Sequence, residues 1–448
     1  MAEASNSTTV CTKQQRIAEL ARQSPPMGFT SLAHHLDLTW LGEAFRRTRK
    51  DGAVGVDGQT ALAYAEDLPG NLQSLLDRAK SGTYFAPPVR RVRIPKGTGQ
   101  GTRPLGIPTF EDKVLQRAVV RAREPLYEQD FLDCSYGFRP GRSAHQALQA
   151  LWRQVMDLGG CWLVEVDIRK FFDTLDRAHL RELLRQRVRD GVLLRLISTW
   201  LPAGALEDGV LSFAESGTPQ GGVISPLLAN VYLHYVLDVW FERVVKPRRK
   251  GRAFLVRYAD DFVLGFTCEE DARRVLDVLP KRFGKYGLQL HPDKTRLVPF
   301  LRPGRRPPRA DSGQGPEPGS FDFLGFRHFW SRSRRGNWVV KRKTAPGRFR
   351  LALWRIAQWC RRNCHRPIRE QHRTLWQKVR GHFAYFGGVL GNGRALHRFR
   401  YEVERLWRAW LSRRHRRGKR SWEWFTRLLR RFPLPAVPVQ ASPGAANP

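Results

Sequence analysis

The stretch FLVRYADDFVLGF, residues 254–266, is the part of the sequence that decides the fold. Two apolar runs rich in aromatic and β-branched residues flank the adjacent carboxylates Asp260 and Asp261. This pattern predicts a β-hairpin with both acids at its turn. Placing like charges side by side is costly unless solvent or a cation offsets them. The pair is therefore either an ordinary exposed turn or part of a cation site.

A third carboxylate comes from LVEVDIRKFF, residues 163–172. Val164 and Val166 alternate there with Glu165 and Asp167, which predicts a strand that ends at Asp167. A carboxylate at a strand end near an acidic hairpin turn makes a cluster of hard oxygen ligands. Such ligands suit Mg²⁺, which also takes waters and substrate phosphates. Two such ions can clamp the attacking and leaving oxygens of a phosphoryl transfer.

The charge of the chain indicates a polyanionic partner. Its 448 residues carry 78 Lys and Arg against 41 Asp and Glu, a net charge of +37. Nucleic acid is the leading partner for such a surface, and a solvated basic surface or a ribosome-associated protein is the alternative. Residues 331–431 alone hold 30 Lys and Arg against 4 Asp and Glu, a net charge of +26. Their apolar residues recur at helical spacing, which predicts a basic helical domain.

Several classes of protein are disfavoured. The six cysteines form neither a disulfide framework nor a paired zinc motif. The first residues, MAEASNSTTVCTKQQ, lack the apolar segment of a signal peptide, and no apolar run approaches a membrane span. The sequence therefore predicts a soluble, cytoplasmic protein with no membrane partner.

Seven blocks, in order, resemble the reverse transcriptases encoded by bacterial group II introns, which also act as splicing maturases. The resemblance covers residues 31 to 435. The blocks are IPKGTGQGTRPLGIPTFEDKVLQRAV, DCSYGFRPGRSAHQAL, VEVDIRKFFDTLD, SGTPQGGVISPLLANVYLHYVLD, VRYADDFVLGF, GLQLHPDKTR and FLGF. No His/Cys cluster of the endonuclease type follows them. The chain is therefore similar to the shorter subclass that lacks this domain.

The resemblance implies an α+β fold. It consists of a right-hand polymerase, with fingers and a palm built on an antiparallel sheet, followed by an α-helical thumb/maturase domain. The expected divisions are a flexible N-terminus at 1–30, an N-terminal helical extension of the fingers at 31–88, fingers and palm at 89–330, the RNA-binding thumb/maturase domain at 331–435, and a disordered tail at 436–448.

The resemblance also assigns the acidic residues. It implies that Asp167 and Asp260 are the main catalytic metal ligands, that Asp261 supports them, and that the backbone carbonyl of Ile168 adds a ligand. The implied cofactor is a pair of Mg²⁺ ions, for which Mn²⁺ can substitute.

Five further residues are implied to bind the incoming nucleotide. Lys96 and Arg103 would pair with the triphosphate, and Gln220 would line the nucleotide pocket. Lys294 would donate a proton to the pyrophosphate leaving group, and the ring of Phe172 would exclude a 2′-hydroxyl. The residues by themselves leave simpler alternatives open: an exposed basic loop, a solvated lysine and a core phenylalanine.

Two sets of residues are implied to hold nucleic acid strands. The FLGF turn resembles a primer grip and comprises Phe323, Leu324, Gly325 and Phe326. In the basic helical region, the RNA-binding cluster comprises Arg413, Arg414, Arg416 and Arg417. The tryptophans of this region fall at helical spacing, which favours core positions over base-stacking platforms.

The implied function is an RNA-directed DNA polymerase that binds its intron RNA and assists splicing and mobility by target-primed reverse transcription. Its partners would be intron RNA, an RNA template, a DNA primer or target, and dNTPs, with homodimer formation left open. A cellular reverse transcriptase used in phage defence or DNA repair is an alternative. A splicing-only RNA-binding maturase is another, and an RNA-templated RNA polymerase is disfavoured by Phe172.

Overall fold

The structure is a computed structural model that describes residues 2–25, 27–95, 101–207, 210–212, 221–304, 319–414 and 420–438. The chain forms two compact units. Unit 1 comprises Met1–Ile94, Thr102–Gln154 and Cys161–Leu297. Unit 2 comprises Pro95–Gly101, Val155–Gly160 and Val298–Pro448.

Most helices of the first 284 residues begin at side-chain caps. These helices are α1 (Ala2–Gln23), α2 (Leu38–Arg47), α3 (Ala61–Glu66), α4 (Leu68–Ser81), α5 (Phe110–Asp130), α6 (Ala144–Leu158), α7 (Phe171–Thr174), α8 (Arg177–Arg185), α9 (Gly191–Trp200), α10 (Ser225–Leu233) and α11 (Glu269–Gly284). Asp37, Thr60, Thr109, Asp176 and Asp190 each accept a backbone N–H of the first turn that follows them. Such caps satisfy amides that have no partner within the helix.

Most of the N-terminal segment 1–30, which the sequence predicts to be flexible, forms a helix. Helix α1 begins at Ala2, and its side chains Val10, Ile17 and Ala21 are buried. Gln14 and Arg121 of α5 exchange two hydrogen bonds of 2.8 Å, from the Gln14 amide to the Arg121 carbonyl and from the Arg121 guanidinium to the Gln14 amide oxygen. Val10, Ile17 and Ala21 recur at helical spacing and pack this otherwise polar helix on α5, and the flexibility expected for 1–30 as a whole stays a prediction.

Unit 1 contains two groups of hydrogen-bonded strands. The first has the order β2 (Thr102–Ile107), β1 (Val89–Pro95), β4 (Ala205–Glu207), β5 (Val210–Ser212), with β1 and β4 parallel. The second has the order β6 (Ala253–Tyr258), β7 (Asp261–Phe266), β3 (Gly160–Val166), with antiparallel pairing throughout. Strand β8 (Arg296–Leu301) begins in unit 1 and continues in unit 2.

Helix α10 is extended by irregular turns. Two segments of wider π-helix, His234–Asp238 and Phe241–Val245, follow it along the chain. Such turns change the direction of side chains relative to a regular helix and are frequent near functional sites. Asp238 lies at the end of the first one.

Unit 2 has a small sheet followed by helices. The antiparallel sheet has the order β11 (Trp338–Thr344), β10 (Phe326–Arg332), β9 (Phe321–Phe323). The helices are α12 (Pro346–Asn363), α13 (Ile368–Phe386), α14 (Gly393–Arg413) and α15 (Trp422–Arg431). Their own apolar core includes Leu375, Val379, Val403, Trp407 and Phe425.

The architecture is the α+β fold expected from the sequence, with an antiparallel sheet of β6, β7 and β3 and a helical C-terminal region. The C-terminal segment of unit 2 begins at Val298 and so includes the FLGF turn, whereas the sequence-based division between palm and thumb lies after residue 330. Residues 439–448, most of the tail expected to be disordered, lie outside the described residues.

Candidate active site

The predicted acidic hairpin is confirmed. Strands β6 and β7 pair from Ala253↔Phe266 to Tyr258↔Asp261, which leaves Ala259 and Asp260 as the two central residues of the turn. Ala259 is buried and has a φ of +56°. This left-handed conformation costs a non-glycine residue about 1–2 kcal/mol, so the surrounding structure must hold the turn in place.

The strand register brings the third aspartate to the same edge of the sheet. The last pair between β3 and β7 is Val166↔Phe262, and one further step places Asp167 opposite Asp261. Facing residues of antiparallel strands have Cα atoms about 4.5–5.5 Å apart. Backbone register alone therefore brings Asp167, Asp260 and Asp261 to the same edge of the sheet.

The three carboxylates suit a divalent cation by their chemistry. All are oxygen ligands, and Asp260 and Asp261 are partly or fully accessible to solvent, which leaves room for the waters and phosphates that Mg²⁺ prefers. Within the described ranges, no three Asp, Glu, His or Cys side chains already converge closely enough to hold a metal ion. The donor set thus fits Mg²⁺ in type, and the side chains must draw together to hold it.

Lys294 lies beside Asp167 at this edge of the sheet. Its Nζ atom donates to Oδ2 of Asp167 at 2.8 Å. The loop that carries it is fixed to the segment after β3, because His291 N donates to the Asp167 carbonyl and Arg169 N donates to the Gln289 carbonyl, both at 2.8 Å. The lysine side chain is 60% exposed, so the ion pair contributes at most about 1 kcal/mol to stability.

A buried arginine is hydrogen-bonded to the acidic turn, and the sequence pattern does not single this residue out. Arg257 of β6 uses all five of its N–H groups. Nε and Nη2 donate to the two carboxylate oxygens of Asp238 at 2.8 and 2.6 Å, and Nη2 also donates to Oγ of Ser135 at 2.7 Å. Nη1 donates to Oδ1 of Asn230 at 2.9 Å and to the carbonyl of Ala259 at 3.1 Å. One guanidinium therefore joins two other sequence blocks, DCSYGFRPGRSAHQAL and SGTPQGGVISPLLANVYLHYVLD, to the turn that carries Asp260.

The block DCSYGFRPGRS packs directly against the same turn. A Cβ atom at Gly137 would lie 2.3 Å from the amide nitrogen of Ala259, so only glycine fits there. The Gly137 carbonyl accepts a hydrogen bond of 2.7 Å from Nδ2 of Asn230. The next residue, Phe138, has a φ of +56°, and its exposed ring lies 6.3 Å from the ring of Tyr258. Two strained non-glycine residues, Phe138 and Ala259, thus flank this close backbone contact.

The loop at residues 221–224, which follows Pro219 and Gln220 in the sequence, packs against β2 and α5. Gly221 has a φ of +120°, and a Cβ atom there would lie 2.3 Å from the carbonyl oxygen of Gly106 in β2. Ile224 N donates to Oε1 of Gln116 at 3.2 Å. The side chain of Gln116 in turn donates through Nε2 to Oδ2 of Asp112 at 3.0 Å. The glycines of the predicted nucleotide pocket therefore lie beside these two elements.

Asp112 anchors this region from a buried position. It accepts hydrogen bonds from the Tyr84 hydroxyl at 2.8 Å and from Nε1 of Trp200 at 2.6 Å. Burial raises the pKa of Asp112 from its ordinary 3.8 to about 6, although these hydrogen bonds oppose the shift. Nothing in the sequence indicates this role, because an aspartate in the first turn of a helix is normally exposed.

The side chain of Phe172 is partly buried. It lies in α7, four residues beyond Ile168, and its ring meets that of the buried Phe171 edge-on at 5.2 Å. Lys170, immediately before this helix, has a φ of +46°. Phe172 packs against the core but remains partly exposed, which is compatible with both interpretations of its ring.

The remaining predicted nucleotide residues are placed only in part. Arg103 is exposed on β2, in a different sheet from the three aspartates. Ile168 is buried and forms an isolated bridge with Leu290. Lys96 and Gln220 lie outside the described residues.

In unit 2, FLGF forms a tight hairpin turn between β9 and β10. Phe323 pairs with Phe326, and the central residues Leu324 and Gly325 have φ values of +48° and +80°. Two positive φ values are typical of a type I′ turn. The hydroxyl of Tyr385 in α13 donates to the Leu324 carbonyl at 2.8 Å. This turn is therefore held in a fixed position on the helical region of its own unit.

Of the predicted RNA-binding arginines, Arg413 is the last residue of α14 and Arg414 follows it directly. Arg413 and Arg414 are exposed, whereas Arg416 and Arg417 lie outside the described residues. The guanidinium of Arg413 lies 4.4 Å from the ring centroid of Trp410.

Three carboxylates at one edge of a sheet, with a lysine beside the first, are the kind of side chains that nucleotidyl-transferring enzymes use. The chain belongs to the reverse transcriptase (RNA-dependent DNA polymerase) family, whose model matches residues 94–328. The matched segment contains every predicted residue of the acidic site.

Curated relatives support this assignment. Protein YkfC of Escherichia coli is 33% identical over 390 residues, which cover 77% of this chain and 96% of YkfC. The group II intron-encoded protein LtrA of Lactococcus lactis is 39% identical over 225 residues, 49% of this chain and 37% of LtrA. A nuclear intron maturase of Arabidopsis thaliana is 28% identical over 249 residues, 45% of this chain and 32% of that protein. The chain thus spans about a third of the length of these two intron-related proteins.

The helices of the described part of the chain fall short of what a bilayer requires. None of them combines the length and the apolar character needed to cross a membrane.

Proposed function

We propose that this chain synthesises DNA on an RNA template from a DNA primer, and that it binds its intron RNA to assist splicing and mobility. The observation that supports the polymerase half most directly is the register that places Asp167 opposite Asp261, beside the Asp260 turn, with Lys294 2.8 Å from Asp167. The similarity to LtrA and to an intron maturase supports the splicing half.

The acidic residues have defined roles in this proposal. Asp167, Asp260 and Asp261, with the carbonyl of Ile168, would hold two Mg²⁺ ions, or Mn²⁺ in their place, which stabilise charge on the attacking and leaving oxygens. Lys294 keeps a proton at Nζ near the first carboxylate and donates it to the departing pyrophosphate. Because the side chain of Lys294 is 60% exposed, it can leave Asp167 when substrate arrives.

The other site residues bind and select the substrate. Lys96 and Arg103 pair with the triphosphate of the incoming dNTP, and Gln220 lines its pocket. The ring of Phe172 excludes a 2′-hydroxyl by steric contact. The FLGF turn holds the primer strand, which suits the rigid backbone of Leu324 and Gly325. Residues 331–435 form the RNA-binding thumb/maturase domain, with Arg413, Arg414, Arg416 and Arg417 as phosphate contacts.

Primer extension tests the polymerase half. The purified chain is given a DNA primer annealed to an RNA template, with dNTPs and Mg²⁺, and the extended product is measured. Asp260→Ala should lower extension by orders of magnitude and should still bind RNA. Asp277→Ala, which removes an exposed carboxylate of α11 in the same unit, is the matched control and should extend like wild type.

Two results would each favour a different function. A wild-type chain that binds RNA and promotes splicing without extending any primer would be a splicing-only maturase. A chain that extends primers, with no intron RNA structure in the DNA that flanks its gene and no effect on splicing, would be a cellular reverse transcriptase of the kind used in phage defence or DNA repair.

A further inference from the structure

Helices α14 and α15 bring two aromatic rings and an arginine together on the surface of unit 2. Tyr401 of α14 is 53% exposed, and Trp422, the first residue of α15, is 39% exposed. Their rings are nearly parallel, with an interplanar angle of 12° and centroids 6.2 Å apart. The guanidinium of Arg408 lies 4.2 Å from the centroid of the Trp422 ring. Three planar groups are therefore stacked at one surface position.

A second arginine–aromatic pair adjoins this group. The guanidinium of Arg420 lies 4.5 Å from the ring centroid of Trp424. Tyr401, Arg408, Arg420, Trp422 and Trp424 together form the stacking patch. Guanidinium groups on aromatic faces are held by cation–π attraction, and a guanidinium also carries N–H donors of the kind that bind phosphate.

The stacking patch is rigid. Ser412 Oγ accepts from Arg420 N at 3.0 Å and donates to the Arg408 carbonyl at 2.9 Å. Nη1 of Arg408 donates to the Arg420 carbonyl at 2.9 Å, which ties the start of α15 to α14. The inner edge of Trp422 meets the buried Phe425 ring at 5.9 Å. A ligand would therefore meet rings that are already ordered, which lowers the entropy cost of binding.

The composition of the surrounding surface indicates what such a patch binds. The core of this unit is built from Trp407 and Phe425, whereas Tyr401 and Trp422 lie outside it. The region 331–431 has a net charge of +26, so a polyanion is the complementary partner. Of the acids on α14 and α15 nearest the rings, Glu402 is paired with Arg405 at 2.8 Å and Glu423 is exposed. Aromatic faces in a basic surface are the means by which proteins hold unpaired bases.

We propose that the stacking patch binds unpaired nucleotides of an RNA, with a base against Tyr401 and Trp422 and the flanking phosphates on Arg408 and Arg420. The identity of that RNA as intron RNA rests on the proposed function. The patch adds preference for single-stranded segments, because bases inside a duplex present no free face to an aromatic ring. Recognition of this kind differs from the phosphate contacts assigned to Arg413 and Arg414.

Binding of a short oligouridine RNA and of a blunt RNA duplex of equal length, measured across a salt series, tests this inference. Tyr401→Ala and Trp422→Ala should each weaken oligouridine binding about 5- to 100-fold and change duplex binding less than about twofold. The slope of log affinity against log salt should stay the same, because neither change removes a cation. Arg408→Gln should weaken binding and also lower the slope by about 0.7, the value for one phosphate neutralised on a single strand.

Two controls separate stacking from folding. Trp354→Ala removes a tryptophan of α12 that is 51% exposed and outside the stacking patch, and it should bind both RNAs like wild type. Tyr401→Phe keeps the ring and should retain oligouridine binding. Thermal unfolding of each variant shows whether unit 2 remains folded.

The outcomes distinguish this inference from the proposed function. The inference is overturned if the alanine variants bind oligouridine like wild type, or if they lose duplex binding as much as oligouridine binding. The stacking patch would then bind a protein partner or no partner. If wild type extends primers in that case, the polymerase proposal stands. If wild type fails to extend primers but the alanine variants lose oligouridine binding selectively, the inference stands and the polymerase proposal fails.

Discussion

Asp238 and Arg257 form a bidentate ion pair in which both side chains are completely buried. Burial alone would lower the pKa of Arg257, but the carboxylate of Asp238 outweighs it and the net shift is upward. A buried ion pair adds little net stability compared with apolar residues of similar size. What this pair adds is a fixed guanidinium that donates to the carbonyl of Ala259 in the turn that carries Asp260.

Removing the carboxylate of Asp238 should therefore strongly destabilise the folded chain. Asp238→Ala leaves a buried arginine with no carboxylate, and we expect a loss of about 3–5 kcal/mol in the free energy of unfolding. Urea denaturation measures this loss. The control is Glu269→Ala, which breaks the exposed pair of α11 with Arg273 and should cost at most about 0.5 kcal/mol. Equal losses in the two variants would show that the Asp238–Arg257 pair is not energetically special.

Lys294 should act in the chemical step and contribute little to folding. If its ammonium protonates pyrophosphate, Lys294→Ala should slow single-turnover nucleotide addition by about 10²-fold or more. The free energy of unfolding should change by less than about 1 kcal/mol, because the pair with Asp167 is exposed. Lys285→Ala removes another exposed lysine and should leave the rate unchanged. An unaltered rate in Lys294→Ala would mean that the lysine is only a surface partner of Asp167.

Phe172 should determine the choice of sugar. Phe172→Val shortens a partly exposed ring, and we expect ribonucleotides to be incorporated more readily relative to deoxynucleotides. The neighbouring Phe171→Val is the matched control, because Phe171 is buried. It should lower the free energy of unfolding by about 2 kcal/mol without changing the ratio of the two incorporation rates. Unchanged discrimination in Phe172→Val would assign Phe172 to the core.

Asp112 should make stability depend on pH. Its pKa rises on folding from 3.8 to about 6, so the stabilising contribution of its protonated form is complete below pH 3.8 and is lost as pH rises through 6. As pH falls from 7 to 3.8, the free energy of unfolding of wild type should therefore rise by up to about 3 kcal/mol relative to that of Asp112→Asn. The rise is about 1.36 kcal/mol per unit of pH between the two pKa values. Chemical denaturation of both proteins at several pH values measures this difference. A difference that does not vary with pH would show that Asp112 titrates normally.

The acidic hairpin and its partner strand could be predicted from sequence because period-two alternation fixes which residues face each other. The runs around Asp260 and the alternation before Asp167 define two strands, and strand pairing then brings the carboxylates to one edge. Lys294 could be recognised through the block HPDKTR, whose backbone is hydrogen-bonded next to Asp167. Local sequence patterns are sufficient to predict this part of the site because its residues lie at the ends of paired strands.

The supporting network could not be predicted, since it depends on contacts between distant segments. Arg257 interrupts the apolar run FLVRY, and Asp238 interrupts YVLDVW. Two isolated opposite charges in buried segments are the available signal, but sequence alone does not pair them. Asp112 escapes prediction for a similar reason: its partners Tyr84 and Trp200 come from other elements. The helix at Ala2–Gln23 escapes it because its composition is polar and only tertiary packing on α5 stabilises it.

The basic cluster of Arg413, Arg414, Arg416 and Arg417 should contribute affinity for RNA through phosphate contacts. Neutralising all four to glutamine should weaken binding to intron RNA. It should also reduce the dependence of log affinity on log salt by about 0.7–0.9 for each phosphate that is no longer neutralised. Short-primer extension should change much less, because the aspartates of unit 1 are untouched.

The decisive comparison uses intron RNA and an unrelated structured RNA of equal length. Charge alone binds any RNA, and a maturase must also prefer its own folded intron through contacts matched to its shape. Splicing is assayed in parallel. Neutralising Arg252, Arg273, Arg274 and Lys281, four exposed residues of unit 1, serves as the matched control for the reduced positive charge. We expect wild type to favour the intron RNA at every salt concentration and the cluster variant to lose both affinity and splicing assistance. Equal affinity of wild type for both RNAs, with no effect on splicing, would contradict the maturase half of the proposal and favour a cellular reverse transcriptase.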